Sequence, residues 1–323
     1  MVTALKTSIN ILLVFLFAAC TSVPDERMTP YVDFPETREL TARTLSLDSA
    51  LFRYPYRVRV QDDKAVVLDL HGTEYFFHAF HYPGFHYLSS FGKRGDAPEE
   101  MLSAENLRWN GNFLWTLDSN KSELTRLGFA SSGDSLLRLE AVSLDEELLR
   151  ALDFVQYDDS TFIIPDYSGD SRFCLVSRQG KLLHKIGTIP TTDEDALKNA
   201  HPALAQAWRS FIDYNPRNGV LAAVTQLGEV LEIYNLKDST HIVRIGPNGE
   251  PEFQISQGYG IPTGIMGFSD IQVTDSAIYV VFQGRAFKDI MQKAQQGINL
   301  PDGGQNIYVF SLEGEPLCKY VLD

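Results

Sequence analysis

The feature of this sequence that most constrains its fold is a repeated pattern of short strands and turns. In the last unit, residues 270–273, 277–282, 306–312 and 316–322 are mostly apolar and alternating, and Asp, Ser, Glu and Gly residues separate several of them. Alternation with period two, closed by turn residues, is typical of antiparallel strands. Four such strands in succession predict one blade of a β-propeller.

Four earlier segments follow the same plan and begin near Tyr56, Glu105, Ala151 and Phe211. The units are spaced by about 46–60 residues, within or just above the ~40–50 residues of propeller repeats. One four-stranded sheet cannot bury both of its faces, whereas a ring of sheets buries each face against a neighbour. The sequence therefore predicts an all-β protein, a propeller of four-stranded antiparallel blades, of which five are countable.

Two stretches interrupt the strand pattern and predict short inserted helices. Residues 192–211 open with the cap candidates Thr192 and Asp193 and continue with Ala-rich and Leu-rich sequence that Pro202 interrupts. Residues 287–296 form the second stretch, between the second and third strands of the last unit. Insertions at these places should decorate one rim of the ring, where they either bind a partner or cap the central channel.

The start of the chain resembles the export leader of a bacterial lipoprotein. Lys6 supplies its one charge, residues 11–17 are apolar, and two alanines precede Cys20. This order matches a charged start, an apolar core and a small-residue cleavage site, and a lipobox places the acylated cysteine directly after that site. The apolar run is shorter than the ~20 residues that span a bilayer. We predict lipidation at Cys20; the alternative is an ordinary secretory leader with a coincidental cysteine.

The chain accordingly divides into three segments. A lipoprotein signal peptide covers residues 1–19, a lipid-anchored linker covers residues 20–35, and the propeller domain covers residues 36–323. The linker contains three prolines and little periodicity, which is typical of an extended spacer.

Charge and cysteine content restrict the partners. The chain has 28 Lys and Arg against 42 Asp and Glu, a formal net charge of −14 at pH 7. An acidic protein repels phosphate backbones and anionic headgroups, so we expect no nucleic-acid partner and membrane contact through the lipid alone. Cys174 and Cys318 lie in apolar, strand-like stretches, where a cysteine is most often a small buried hydrophobic residue.

At this point the sequence resembles a known family. The lipobox, the proline-containing linker, FGKRGDAPEEM at 91–101 and IYVFSLEGEPLCKYVLD at 307–323 resemble the TolB-like six-bladed propeller lipoproteins of Bacteroidetes-type bacteria, sometimes called the BF3164-like family. The resemblance implies six blades, a location in the cell envelope, and no accepted catalytic residues. Only five blades are countable, and residues 36–52 supply at most one or two strands of a closing blade. Either the ring closes with five blades, or an incomplete sixth leaves open edges that invite pairing with another chain.

The densest group of histidines lies in FFHAFHYPGFHY, which contains His78, His81, Tyr82 and His86. Successive side chains of a strand point to opposite faces, so His78 and His81 should not share a metal ion. We expect instead a loop that lines a polar or aromatic ligand pocket, and we predict no metal site here.

A second candidate is Arg94, in the FGKRGD segment at 91–96. Two glycines beside two cations suit a phosphate loop, but such a loop normally opens a helix. A similar glycine-containing stretch at 245–253 occupies the equivalent place in the fourth repeat. This recurrence favours a structural turn, although Arg94 stays a candidate ligand-binding residue.

Acidic residues at strand ends give a further alternative. Asp118, Asp166 and Asp270 offer the hard oxygen ligands that Ca²⁺ prefers. Asp is also the common turn residue beside strands, and we favour that explanation. No cofactor is predicted.

The function that the sequence favours is a non-catalytic binding module for a protein or glycan partner, on a cell-envelope lipoprotein of the outer membrane. Neither a G-x-S-x-G nor an H-E-x-x-H motif is present. The alternative, a divalent-metal-dependent hydrolase or lyase acting on a sugar derivative in the channel, rests on analogy with other propellers. Whether the chain is an enzyme stays open, and convergence of carboxylates and histidines at one channel mouth would favour the alternative.

Overall fold

Five four-stranded antiparallel sheets follow one another along the chain in a computed structural model that describes residues 28–45, 47, 52–131, 133, 135–298 and 304–323. The predicted signal peptide, Cys20 and the first part of the predicted linker lie outside these residues. The five successive four-stranded sheets confirm the predicted propeller architecture with its five countable blades.

The strands are numbered in chain order. Two short strands come first: β1 Met28–Pro30 and β2 Thr37–Leu40. Blade 1 contains β3 Pro55–Gln61, β4 Lys64–Asp69, β5 Tyr75–His81 and β6 His86–Lys93. Blade 2 contains β7 Asn106–Asn110, β8 Phe113–Asp118, β9 Glu123–Phe129 and β10 Leu136–Ser143. Blade 3 contains β11 Val155–Asp158, β12 Thr161–Pro165, β13 Phe173–Ser177 and β14 Leu182–Ile186.

Blade 4 contains β15 Ser210–Asn215, β16 Val220–Thr225, β17 Val230–Asn235 and β18 Thr240–Ile245. The hairpin β19 Phe253–Ser256 and β20 Tyr259–Pro262 precedes blade 5, which contains β21 Phe268–Val273, β22 Ile278–Phe282, β23 Asn306–Phe310 and β24 Pro316–Leu322. In each blade the strands pair in sequence order.

The first strand of each blade lies nearest the axis, because side chains of these strands meet across the ring, as Arg108 and Asp213 do. We call the end of the ring where the inner strands begin the upper face. It is formed by residues 70–74, 94–105, 119–122, 144–154, 166–172, 187–209, 226–229, 246–267 and 283–298. The lower face lies at the opposite end and is formed by turns at 62–63, 82–85, 111–112, 130–131 with 133 and 135, 159–160, 178–181, 216–219, 236–239, 274–277 and 311–315.

Buried apolar clusters hold neighbouring blades together. Between blades 2 and 3, for example, Trp115 packs edge-on against Phe162 with ring centroids 5.1 Å apart. Similar clusters join blade 1 to blade 2, blade 3 to blade 4 and blade 4 to blade 5. Burial of apolar surface contributes about 25 cal/mol for each Å² removed from water, and it is the main force that assembles such a ring.

The junction between blade 5 and blade 1 is different. No buried apolar cluster joins these two blades within the part of the chain that the structure describes. Val58 of blade 1 and Tyr279 of blade 5 are 45% and 37% exposed, and polar contacts from Arg57 and Arg59 to residues 269–270 connect the blades near the axis. The expected sixth blade is absent from the described residues, and ion pairs bridge the ring instead.

The N-terminal segment packs on blades 4 and 5 rather than building a closing blade. β1 pairs in parallel with β18, and β2 pairs in parallel with β24. Tyr31 and Phe34 are buried in the core between these blades, and the Tyr31 hydroxyl donates to Glu229 Oε1 at 2.7 Å. Residues 28–35, which the sequence pattern assigned to the linker, are thus packed against the propeller. Two isolated aromatic residues, Tyr31 and Phe34, among three prolines give no strand periodicity from which this packing could be predicted.

Three short helices confirm the predicted insertions: α1 Glu194–Asn199, α2 His201–Ala207 and α3 Phe287–Gln295. The Asp193 side chain accepts a hydrogen bond from the backbone N–H of Ala196 at 2.9 Å and so caps α1, and Pro202 lies in the first turn of α2. All three helices lie on the upper face. Among the described residues, none of the helices has the length and apolar character needed to cross a bilayer.

Both cysteines of the folded region are buried and free, as predicted. Cys174 lies in β13 and Cys318 in β24. Burial raises the pKa of the Cys174 thiol to about 12, so this thiol stays protonated and inert at neutral pH.

Candidate functional site

Charged side chains from several blades converge near the propeller axis. Three arginines and three aspartates take part: Arg57, Arg59, Arg108, Asp153, Asp213 and Asp270. The inner strands carry or immediately follow these residues, so the ring brings together side chains that are up to about 210 positions apart.

Asp270 joins blade 5 to blade 1. Its two carboxylate oxygens accept hydrogen bonds from the Arg59 guanidinium at 2.8 and 2.9 Å, and Arg57 Nε lies 3.5 Å away. Burial alone raises the pKa of Asp270, but the two arginines outweigh burial and hold this pKa well below its usual range. Asp270 is therefore a charged clamp at neutral pH.

Arg108 connects blades 2, 3 and 4. Its guanidinium lies 3.1 Å from Asp153 and 2.6 Å from Asp213. Asp153 also accepts backbone N–H bonds from Phe154 at 2.8 Å and from Ile212 at 3.0 Å. Burial raises the pKa of Asp213, and Arg108 opposes that rise.

The three aspartates near the axis thus already have cationic or backbone partners. A divalent cation would have to displace arginines to reach their oxygens, because Ca²⁺ needs several oxygen ligands at once. No group of three metal-ligating side chains is present in the described part of the chain. The chemistry of this region fits bridging between blades better than metal binding.

A second group lies above this charged layer, at the upper mouth of the channel: Tyr56, Glu105, Tyr167 and Arg209, here called the channel mouth. Tyr56 belongs to blade 1 and Tyr167 to the second turn of blade 3, and Arg209 directly precedes the inner strand of blade 4. Electrostatic interactions link Arg209 to both tyrosines. Side chains of blades 1, 3 and 4 face one another only near the axis, which places this group at the mouth of the channel.

Two polar atoms of the channel mouth are buried without a partner. The Tyr167 hydroxyl and Arg209 Nε have no hydrogen-bond partner among the described residues. Burial raises the pKa of Tyr167, so this hydroxyl stays protonated. Glu105, by contrast, accepts a hydrogen bond from the Ser119 hydroxyl at 2.8 Å. A buried unsatisfied donor costs about 1–3 kcal/mol, which makes Tyr167 and Arg209 candidates for ligand contact.

The sequence of this propeller matches a known protein family. A family model described as TolB-like, 6-blade propeller-like matches residues 33–323. The chain belongs to this TolB-like family. No curated protein matches the chain significantly in sequence.

Solved structures resemble this TolB-like propeller in fold. A Bacteroides fragilis protein described as exported has a TM-score of 0.54 at 12% identity and covers 91% of this chain and 80% of its own. A member of the DUF4221 family from Bacteroides vulgatus has a TM-score of 0.51 at 10% identity, with 85% and 83% covered. At such low identity the likeness concerns the fold. The family model is described as six-bladed, whereas the described residues of this chain form five blades.

In this TolB-like propeller the histidine-rich segment lies in blade 1, away from the axis. His78 is buried in β5, where its Nδ1 lies 2.7 Å from the Ser90 hydroxyl. Burial lowers the pKa of His78. His81 and His86 pair across the β5–β6 turn on the lower face, beside Tyr82, which is 43% exposed. The structure therefore separates His78 from the other three.

Arg94 lies at the opposite end of the same blade. Its Nη1 donates to the carbonyl oxygen of Gly72 at 2.9 Å, and its guanidinium lies 5.0 Å from the Phe76 ring. These contacts fasten the connection between blades 1 and 2 to a turn of blade 1. The five candidate residues do not form one site, and their ligand contact stays a prediction.

Asp118 and Asp166 organise turns. Asp118 accepts the backbone N–H groups of Leu102 at 2.7 Å and Lys121 at 3.0 Å. Asp166 accepts from Ser168 and lies 3.0 Å from Lys185 Nζ. For these two aspartates the favoured explanation, a turn residue beside a strand, agrees with the geometry. Asp270 differs, because it lies within β21 and is held by Arg57 and Arg59.

The residues of the channel mouth escaped sequence analysis because no local motif contains them. Tyr56 lies within β3 and the other three lie between strands, each in a different part of the sequence, so only the closed ring brings them together. A usable signal was present for Arg209: a charged residue directly before the predicted inner strand that begins near Phe211 should point toward the axis.

Proposed function

We propose that this TolB-like propeller is an exported lipoprotein whose domain is a non-catalytic binding module, and that the channel mouth holds its ligand. The observation that carries the proposal is the pair of buried, unpartnered polar groups, Tyr167 hydroxyl and Arg209 Nε, above a layer in which the other charges are paired. The exported description of one structural relative and the leader-like start of the chain support the location.

The chemistry of the channel mouth favours a ligand with an anionic or acceptor group. A guanidinium offers several N–H donors in a fixed plane and is suited to carboxylate or phosphate oxygens. The Tyr167 hydroxyl adds a donor, and the ring of Tyr56 adds an apolar surface. Groups of this kind orient a ligand without a nucleophile or a general base.

The anchor follows from Cys20 and from residues 1–19, in agreement with the lipoproteins of the BF3164-like subfamily that the sequence resembles. Diacylation at Cys20 would hold the propeller at the outer membrane, because two acyl chains anchor a protein far more firmly than one. The ligand would then be a protein or a glycan of the cell envelope. A metal-dependent hydrolase or lyase is the competing function.

Ligand binding is expected to depend on Arg209. In thermal unfolding of residues 21–323, citrate or inorganic phosphate should raise the midpoint of wild type more than that of Arg209→Gln. The difference between the two proteins is the measurement, because such anions stabilise many folds nonspecifically. At 100 times its dissociation constant, a ligand contributes about 2.7 kcal/mol. Without ligand, Arg209→Gln should unfold at the same or a higher temperature.

The matched control is Arg217→Gln, since Arg217 is exposed on the lower face and paired with Asp275. Equal stabilisation of wild type, Arg209→Gln and Arg217→Gln by each anion would contradict binding at the channel mouth. A specific shift with CaCl₂ would instead favour the metal-dependent enzyme.

Cys20→Ser should release the full-length protein from the membrane fraction without changing its thermal unfolding, because the predicted anchor lies outside the packed blades. Fractionation after a high-salt wash measures the release, and a Cys318→Ser variant controls for loss of a cysteine. Retention of Cys20→Ser in the washed membranes would contradict lipid anchoring.

A further inference from the structure

A continuous groove crosses the lower face between blades 2 and 3, on the side of the ring opposite to the channel mouth. We call it the lower groove and define it by residues 110–113, Arg126, 156–159 and Arg178. Two adjoining cavities of about 360 and 300 Å³ form it, and they share lining residues such as Asn110 and Gln156. Each volume lies within the ~300–1,000 Å³ range of ligand sites.

The outer half of the lower groove contains two arginines stacked on aromatic rings. The Arg126 guanidinium carbon lies 4.6 Å from the Phe113 ring centroid, and that of Arg178 lies 4.4 Å from the Trp115 ring centroid. Stacking fixes the plane of a guanidinium and leaves its N–H edge available to a ligand. Phe113 is 40% exposed, so part of its ring is accessible as well.

The charges in this half do not balance. One carboxylate, Glu140, serves both arginines: Arg178 Nη2 lies 2.5 Å and Arg126 Nε lies 3.3 Å from Glu140 Oε2. Arg126 Nε and Arg178 Nη1 are buried and make no hydrogen bond with any described residue. The two guanidinium groups thus share one carboxylate, and the buried Arg178 Nη1 donor has no carboxylate beside it, so a single anionic group would satisfy this donor and supply the second negative charge.

The inner half of the lower groove is polar and mildly acidic. The Asn110 side-chain amide donates to Gln156 Oε1, and the Gln156 amide donates to the carbonyl oxygen of Asp158 at 2.9 Å. The side chains of Asn112 and Asp159 are exposed beside them. Amides and a carboxylate are complementary to neutral hydroxyl groups, which both donate and accept hydrogen bonds.

We propose that the lower groove binds a short oligosaccharide that carries one acidic sugar. The acid contacts Arg126 and Arg178, the apolar face of a sugar ring lies on Phe113, and neutral sugars place their hydroxyls against Asn110, Gln156 and Asp159. A ligand with many negative charges fits less well, because Asp159 and the formal net charge of −14 repel it. This site is independent of the channel mouth, and neither proposal needs the other.

The test is titration calorimetry of residues 21–323 with 3′-sialyllactose and with an aldotriouronic acid, each of which carries one carboxylate. Wild type should bind at least one of them saturably. Arg178→Gln should weaken that binding by about tenfold or more, because it removes the charged donor of the acid group. Phe113→Ala should weaken it by a similar factor, because it removes the apolar surface on which the sugar ring lies. Neutral lactose should bind at least about tenfold more weakly than 3′-sialyllactose.

Arg138→Gln is the matched control, since Arg138 also belongs to blade 2 but pairs with Glu123 outside the groove. Arg178→Gln should keep its fold, because Arg126 still faces Glu140, and circular dichroism verifies this. Arg209→Gln should bind like wild type, which separates this site from the channel mouth. The proposal is overturned if neither acidic probe binds saturably, if Arg178→Gln and Arg138→Gln weaken binding equally, or if lactose binds as tightly as sialyllactose.

Discussion

Replacing Glu232 with Ala is expected to lower the free energy of unfolding by about 3–5 kcal/mol, because it leaves a buried arginine without a counter-charge. The side chains of Arg172 and Glu232 are 3% and 0% exposed, and their closest N–O distance is 2.6 Å. Arg172 also donates to the carbonyl oxygen of Trp208 and to the Ser210 hydroxyl. Arg172 of blade 3 is therefore fastened to β17 through Glu232 and to the start of blade 4 through Trp208 and Ser210.

Urea denaturation of residues 21–323 measures this effect as a lower midpoint with an unchanged slope. Glu194→Ala is the control, because Glu194 forms an exposed pair with Lys198, and exposed ion pairs contribute little to stability. The double variant Arg172→Met with Glu232→Leu should regain most of the lost stability, since it removes both charges together. A loss below about 1 kcal/mol for Glu232→Ala would show that this pair does not hold the blades.

Much of the fold was predictable from the sequence because it depends on local periodicity. Alternating apolar residues and turn residues located every blade, and the cap at Asp193 with Pro202 located α1 and α2. The parallel pairing of β1 with β18 and of β2 with β24 was not predictable. A strand of three or four residues carries too little pattern to show its partner. The buried positions of Tyr31 and Phe34 depend on that pairing.

The candidate sites were harder to predict, because they depend on contacts between blades and not on local periodicity. Arg126 and Phe113 are neighbours in blade 2, but Arg178 reaches them from blade 3 only when the ring has formed. The histidines form a cluster in the sequence, which predicted a ligand pocket, yet the strand geometry divides them between the interior and the lower face. Proximity in sequence is a poor guide to proximity in a propeller, whose sites combine single residues from several repeats.

Arg108→Met should lower the free energy of unfolding by about 3–5 kcal/mol at pH 7, because Asp153 and Asp213 lose the cation that they share. The side chain of Asp153 is 1% exposed, so water cannot replace the guanidinium. Burial raises the pKa of Asp213 in the folded state above the unfolded value of about 3.9, and Arg108→Met removes the cation that opposes this rise. An acid whose folded pKa is raised loses stability as pH rises and regains it as pH falls.

The deficit of Arg108→Met relative to wild type should therefore shrink when both proteins are unfolded by urea at pH 4.5 instead of pH 7. Arg217→Met is the matched control, because Arg217 and Asp275 are 76% and 57% exposed and their pair contributes at most about 1 kcal/mol at either pH. Loss of an apolar contact by Arg108 would give the same deficit at both values of pH. Such a result would mean that packing, rather than neutralisation of two buried carboxylates, is what Arg108 contributes at the axis.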